Sequence, residues 1–195
     1  MKINIIGKGN VGSALSRRFG TAGHTVTVAD SSTGPDQVAA QAAEADVTVL
    51  AVPFPAVARL DDKVKSALNG KIVIDATNPL AADFMSLTLG HSTSGGEQVA
   101  AALPGARVVK AFNTVLAGTL DTPELGGGTI FLPVAADDET AKKTVLELGV
   151  QLGFDTVDAG PLTNARYLEP AVELLVQLAF GVGLGANIGF TLARA

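Results

Sequence analysis

The chain holds few residues suited to covalent or acid–base chemistry. Its 195 residues include no cysteine and only two histidines, so thiolate nucleophiles, disulfides and cysteine-based metal sites are excluded. No Ser-His-Asp arrangement and no metal-ligand spacing is found. His24 lies in a turn and His91 in a polar loop, places where a histidine more often caps or packs than catalyses. The stretch that does suggest chemistry is GKGNVG, in which Gly7, Gly9 and Gly12 stand at the spacing G-x-G-x-x-G. In such a loop the first glycine permits a tight turn and the second lets a pyrophosphate approach the backbone. The third lets helix pack on strand, and the helix mouth offers free N–H groups to the anion. With 22 glycines in the chain the spacing alone says little. Its context says more: a strand-like KINII precedes it, and the apolar stripe Val11, Ala14, Leu15, Phe19 follows. Asp30 closes the next strand-like run at about the 20-residue interval of dinucleotide sites.

Asp30 can accept hydrogen bonds from both ribose hydroxyls of NAD and would repel the 2′-phosphate of NADP. Ser31, Ser32 and Thr33 follow at once and can donate to a phosphate, but no arginine stands beside them. NAD is favoured by Asp30, and both forms of NAD(P)H stay open. The segments AVPFP (51–55), DATNP (75–79) and KAFNT (110–114) end further strand-like runs, and ligands of open parallel sheets sit beyond such ends. Val52 and Pro53 can floor the nicotinamide ribose, and Asn78 and Asn113 can bond ribose or carboxamide. Asn78 with Pro79 can equally form a plain turn. Lys110 can orient an anion or simply be solvated. Lys110 and Asn113 are the weak catalytic candidates, and no metal ligand is assigned.

Positioning these residues requires strands and helices in alternation. KINII, TVTVA, VTVLAV, KIVIDA, RVVKAF, TIFLPVA and DTVDAG read as strands, several so continuously apolar that both faces must be covered. The expected fold is α/β: a Rossmann-type, doubly wound, mostly parallel sheet with a short C-terminal helical extension. Residues 1–160 form the dinucleotide-binding domain and residues 161–195 the extension, packed as one compact unit. The interval between Asp30 and Val47 admits only a short helix, DQVAAQAAEA, so the adenosine side is expected to be shallow and open. A helix is expected over Asp137–Leu152, with Asp138–Lys142 and Glu139–Lys143 spaced for pairing. SSTGPD, GHSTSGGE and DTPELGGGT read as loops. In FGVGLGANIGF, Gly181, Gly185 and Gly189 would make a side-chain-free helix stripe, fit for a helix pair across a dimer or a wall against a planar ring. Pro170 is expected to kink or restart its helix.

The apolar fraction of 47% against 17% charged indicates a globule with a large core. A net charge of −5 without a cationic cluster argues against nucleic acid. The N-terminus enters a strand directly, unlike a signal peptide, so a cytoplasmic protein is expected. LLVQLAFGVGLGANIGFTL is interrupted by Gln177, Asn187 and glycines, which favours a buried helix over a membrane span.

GKGNVGSAL, GHTVTVAD, LAVPFPAV, IVIDATNPL, GARVVKAFNT and DAGPLTNARYLEP occur in this order. With them the chain resembles, over nearly its whole length, the coenzyme F420-dependent NADP oxidoreductases and their dinucleotide-binding relatives. The resemblance implies a Rossmann sheet with a small C-terminal helical extension, a homodimer through that extension, and hydride passage between a nicotinamide and a flavin or deazaflavin. By it, Gly7, Lys8, Gly9, Asn10, Val11 and Gly12 would hold pyrophosphate, Val52 and Pro53 would back the nicotinamide, and Asn113 with Thr114 would border the acceptor. Where the family commonly reads Ser-Arg after its second strand, Asp30 and Ser31 stand here.

Hydride transfer between two cofactors needs little from side chains, which accords with the missing catalytic constellation. Two alternatives remain at this level: a reductase of a small imine or carbonyl compound, which would need a proton donor such as Lys110, and a non-catalytic sensor of NAD(P)H.

Overall fold

A computed structural model describes residues 1–194; Ala195, the last residue of the expected extension, lies outside the described residues. The glycine loop joins strand β1 (Lys2–Ile6) to helix α1 (Asn10–Thr21), and β2 (Thr25–Ala29), α2 (Pro35–Glu44) and β3 (Val47–Leu50) follow. Two short helices, α3 (Phe54–Val57) and α4 (Asp62–Ala67), lead to β4 (Ile72–Asp75), and α5 (Gly95–Ala102) leads to β5 (Arg107–Lys110). Then come β6 (Glu124–Leu125), β7 (Gly128–Thr129), β8 (Phe131–Ala136), α6 (Glu139–Gln151), β9 (Asp155–Asp158) and α7 (Ala165–Val176).

Seven strands form one sheet in the order β2-β1-β3-β4-β5-β8-β9. The first five are mutually parallel, β8 runs antiparallel to β5, and β9 is parallel to β8. The pleat of β1 sends Ile3 and Ile5 to one face and Ile6 to the other. Leu15, Phe19, Val145 and Leu148 from α1 and α6 cover the first face. Val38, Val64 and Val99 from α2, α4 and α5 cover the second. Burial from both sides explains the unbroken Val/Ile/Leu runs, and each fully buried large side chain contributes about 1.5–3 kcal/mol. Phe112 makes edge-on contacts in the first core with Phe19 of α1 and with Phe154, just before β9.

Several expectations are corrected. DTPELGGGT is not a plain loop but the hairpin β6–β7, turned by Gly126 and Gly127 at φ +61° and +85°; glycine pairs with positive φ suit two-residue hairpins. In α6 the anticipated pairs Asp138–Lys142 and Glu139–Lys143 do not form. Asp138 instead caps the helix, accepting from the Ala141 amide at 2.7 Å. Lys142 turns inward to Glu139 and Asp158 at 2.9 and 3.2 Å. Helix α7 passes through Pro170 unbroken. Pro170 lies on the exposed side, where water can satisfy the carbonyl it leaves unpaired. The glycine stripe does not exist. After α7 one π-type turn, Gln177–Gly181, ends the helix, and Gly183 and Gly185 take φ of +87° and +83°. Clustered glycines, each costing about 1 kcal/mol inside a helix, find left-handed turns less costly. The chain then runs back along the β6–β8 segment, where Phe131 donates to the Phe190 carbonyl at 2.8 Å. Among the described residues no helix is long and apolar enough to cross a membrane.

Candidate dinucleotide-binding site

The three glycines of the loop have three different environments. Gly7 has φ +117°, and a Cβ there would lie 2.2 Å from the Ala51 carbonyl oxygen. A Cβ on Gly12 would lie 2.0 Å from the Gly7 oxygen, so α1 presses directly on the turn. Around Gly9 a Cβ would meet nothing within 4 Å: this glycine keeps space open rather than fitting into it. The first i→i−4 bond of α1 runs from Ser13 N to Gly9 O at 2.9 Å, so the amides of Asn10, Val11 and Gly12 precede the ladder. Helices α2, α4, α5 and α6 each carry an acid in the first turn, whereas α1 has none. Open space at Gly9 beside first-turn amides that precede the ladder, with no carboxylate of the helix competing for them, fits a diphosphate.

These residues border a cleft of about 910 Å³ beyond the carboxyl ends of β2, β1 and β3, the topological switch point of the sheet. Gly7, Lys8, Gly9, Asp30, Ser31, Ser32, Val52 and Pro53 all line it. Asn10, Val11 and Gly12 form the helix mouth behind it, and Asn78 and Asn113 lie outside it. Val38 of α2 lines the cleft as well, together with Arg59, Leu60 and Val64 from the α3–α4 corner and α4.

Asp30 is engaged with its own turn. One carboxylate oxygen accepts from the Ser32 amide at 2.9 Å and the Ser32 hydroxyl at 2.6 Å, while the other faces Lys8 Nζ at 3.9 Å. The Ser32 bonds, helped by Lys8, hold the carboxyl below its usual range, so Asp30 is charged at neutral pH. Arg59 is a site residue that local sequence reading does not find, because the α3–α4 corner carries it to the cleft from well beyond β2. Among the described residues it is the one arginine whose guanidinium has no hydrogen-bond or ion-pair partner; those of Arg17, Arg18, Arg107, Arg166 and Arg194 all have one.

At the ends of β4 and β5 the arrangement is different. Asn78 Nδ2 donates to the Asn113 carbonyl at 3.1 Å, and Asn113 Nδ2 donates to Asn78 Oδ1 at 3.1 Å. Phe112, just before, takes φ +63°, a costly conformation for a bulky residue. Asn113 Oδ1 and Thr114 Oγ1 are buried without a partner. Lys110 is not solvated: it is 0% exposed and bonds to Asp75 Oδ2, the Thr77 carbonyl and Glu169 Oε1 at 2.9, 2.7 and 2.8 Å. Fully buried, with all three N–H groups donating within the protein, it does not reach the cleft. His24 packs on Phe19 and meets Gln151 at 3.0 Å, and His91 is an exposed loop residue.

GHSTSGGE, read as a loop, ends in a capping box: the Ser94 hydroxyl accepts from the Glu97 amide at 3.2 Å and donates to its carboxylate at 2.8 Å. Arg166 of α7 grips the same carboxylate, Nε to Oε2 at 2.8 Å, and this bond above all holds the Glu97 carboxyl below its ordinary range. A depressed folded value contributes stability that is complete above the unfolded value and lost as pH falls through the folded one. Glu97→Gln should therefore lower the stability at neutral pH by up to about 1 kcal/mol. Urea titrations of both proteins should show that gap closing as pH drops below the ordinary glutamate range.

Comparison with known proteins agrees with this geometry. The family described as NADP oxidoreductase coenzyme F420-dependent matches residues 2–79. An F420-dependent NADP reductase of Methanothermobacter marburgensis is 30% identical over 210 aligned residues, spanning 91% of this chain and 92% of the relative. The chain belongs to this F420-dependent NADP oxidoreductase family. A crystal structure of a proposed F420-dependent NADP-reductase from an Arthrobacter species superposes on the family fold seen here with a TM-score of 0.88 at 29% identity, over the full length of both chains. Metalloreductase STEAP3 of Rattus norvegicus is 32% identical over 180 residues; the chain spans only 36% of that protein's length.

Proposed function

We propose that this chain is an NADPH-dependent oxidoreductase that passes hydride between the nicotinamide and a flavin-like or deazaflavin acceptor, as a homodimer through its C-terminal helix. The observation that carries the cofactor assignment is the cradle itself: three glycines in three distinct roles, and a helix mouth whose first-turn amides precede the ladder, next to a cleft at the switch point. The nicotinamide supplies the hydride, and the protein's part is to bind, orient and exclude water. Gly9 and the α1 amides would hold the diphosphate, Val52 and Pro53 would back the nicotinamide ribose, and Asn78 and Asn113 would border the ring. Ser31 and Arg59 would receive the 2′-phosphate, with Asp30 turned toward Ser32. The relatives' names support NADP and F420. Lys110, enclosed as it is, gives no support to an imine or carbonyl reductase that draws its proton from it. For the dimer, Tyr167, Leu174, Phe180, Val182 and Leu184 stand exposed on α7 and the segment after it, an apolar surface of the kind that partners cover.

The test is a titration with NADPH and NADH, followed by turnover with flavin and deazaflavin acceptors read from nicotinamide absorbance. NADPH is expected to bind tighter than NADH and to be consumed when an acceptor is present. Losing the charge-assisted bonds in Arg59→Ala should weaken NADPH by about 10- to 30-fold and leave NADH nearly unchanged. Asp30→Ala should favour NADPH further. Failure of both dinucleotides to bind would refute the proposal.

A further inference from the structure

KAFNT and DAGPLTNARYLEP lie far apart in the chain, and the proposed chemistry uses neither Lys110 of the first nor Glu169 of the second. In the folded protein these two residues meet at 2.8 Å, 0% and 2% exposed. We propose that Glu169, reaching in from the C-terminal helix, is a positioning residue that sets the nicotinamide half of the site through Lys110. The inference rests on the cofactor assignment made above.

The cluster is a socket with matched contacts. The three donors of the Lys110 ammonium meet three acceptors, Asp75 Oδ2, Thr77 O and Glu169 Oε1. Two carboxylates against one ammonium leave an excess negative charge, and the mouth of α5 answers it. Gly95 N donates to Glu169 Oε2 at 2.8 Å and Gly96 N donates to Oε1 at 2.9 Å. Both glycines let the carboxylate and α7 come close: a Cβ on Gly95 would lie 3.0 Å from Glu169 Oε1, and one on Gly96 would lie 3.1 Å from Ala165 Cβ, tight contacts that the neighbours would have to ease. A buried ion pair is weak evidence of stabilisation, since apolar residues of the same volume often serve as well. What distinguishes this one is where its bonds lead. Lys110 holds the Thr77 carbonyl, and Asp75 Oδ1 accepts from the Thr77 amide at 2.9 Å and its hydroxyl at 2.7 Å. Thr77 is thus fixed on both sides of its peptide, and the next residue is Asn78, whose amide clamps Asn113. The adenosine cleft lies over β2, β1 and β3, so a dinucleotide extending across the sheet brings its other half toward the ends of β4 and β5, where this clamp stands. Glu169 touches neither the cleft nor Asn78; it acts through Lys110 and Thr77.

The experiment compares NADPH with adenosine 2′,5′-bisphosphate, which reports on the adenosine half alone. Titration of the wild type should show NADPH binding the tighter, with a change in nicotinamide fluorescence. Glu169→Gln leaves Lys110 balanced by Asp75. It should lose NADPH affinity by about tenfold or more and lose the fluorescence change, while the bisphosphate binds as before. Glu169→Asp, which keeps the charge, should recover part of the difference. Asn78→Ala leaves the socket intact and should show the same selective loss, so it carries the test should Glu169→Gln fail to fold. A folded Glu169→Gln with wild-type affinity for both ligands overturns the proposal, as does an equal loss of both. An Asn78→Ala protein that keeps the full NADPH advantage also overturns it. A wild type that binds neither ligand refutes the cofactor assignment itself, and with it the inference built on it.

Discussion

Gly12→Ala is expected to abolish dinucleotide binding and to destabilise the fold by about 3 kcal/mol or more, the upper range for overpacked interiors. Helix propensity points the other way, favouring alanine over glycine by about 1 kcal/mol in a helix interior. Sterics decide. The new methyl would sit 2.0 Å from Gly7 O and 2.9 Å from Gly7 C, both backbone atoms, with Ala51 Cβ at 3.3 Å. Gly7 cannot retreat, because its own Cα direction already faces the Ala51 carbonyl. Relief must come from lifting α1 off the turn, which opens the cradle and uncovers Leu15 and Phe19. Thermal melts and NADPH titration measure the two effects together. Gly9→Ala is the control: with open space around it, the melting temperature should hold or rise while NADPH binding weakens. A Gly12→Ala protein with wild-type melting and binding would contradict this account of the loop.

Lys110→Met should be comparably damaging, costing about 3–5 kcal/mol, the usual penalty for removing one partner of a buried pair. Methionine fills much of the volume, so the loss is electrostatic: Asp75 and Glu169, 0% and 2% exposed, would be left with no cation, and the Thr77 carbonyl with no donor. Urea unfolding gives the number. A loss below about 1 kcal/mol would mean that the carboxylates are satisfied without the ammonium. Because native domains are stable by only about 5–15 kcal/mol, a full loss should also be visible as poor soluble yield.

The strands were legible because burial on both faces writes itself as continuous Val, Ile and Leu, and the glycine loop because each of its residues answers a local steric demand. Strand direction was not: Phe131–Ala136 reads the same parallel or antiparallel, since direction is set by the connections. Lys110 was misjudged for a related reason. Its neutralising partners come from residues 75 and 169, and nothing near a lysine in sequence reveals a counter-charge from another element. Arg59 was hidden in the same way. The C-terminal glycines misled through periodicity, because four-residue spacing suits a helix and left-handed turns supply a second use for the same residues. The capping box at Ser94 and Glu97 could have been read from S-x-x-E.

The expected division at residue 160 separates Lys110 from Glu169, and this limits how the protein can be taken apart. The candidate cleft draws its lining from residues up to Val64, all from one stretch of chain ahead of that division. The other half is not so confined. Transplanting the first 160 residues onto a different tail would carry over a buried ammonium and a pair of glycine amides shaped for a carboxylate that the new tail would have to provide.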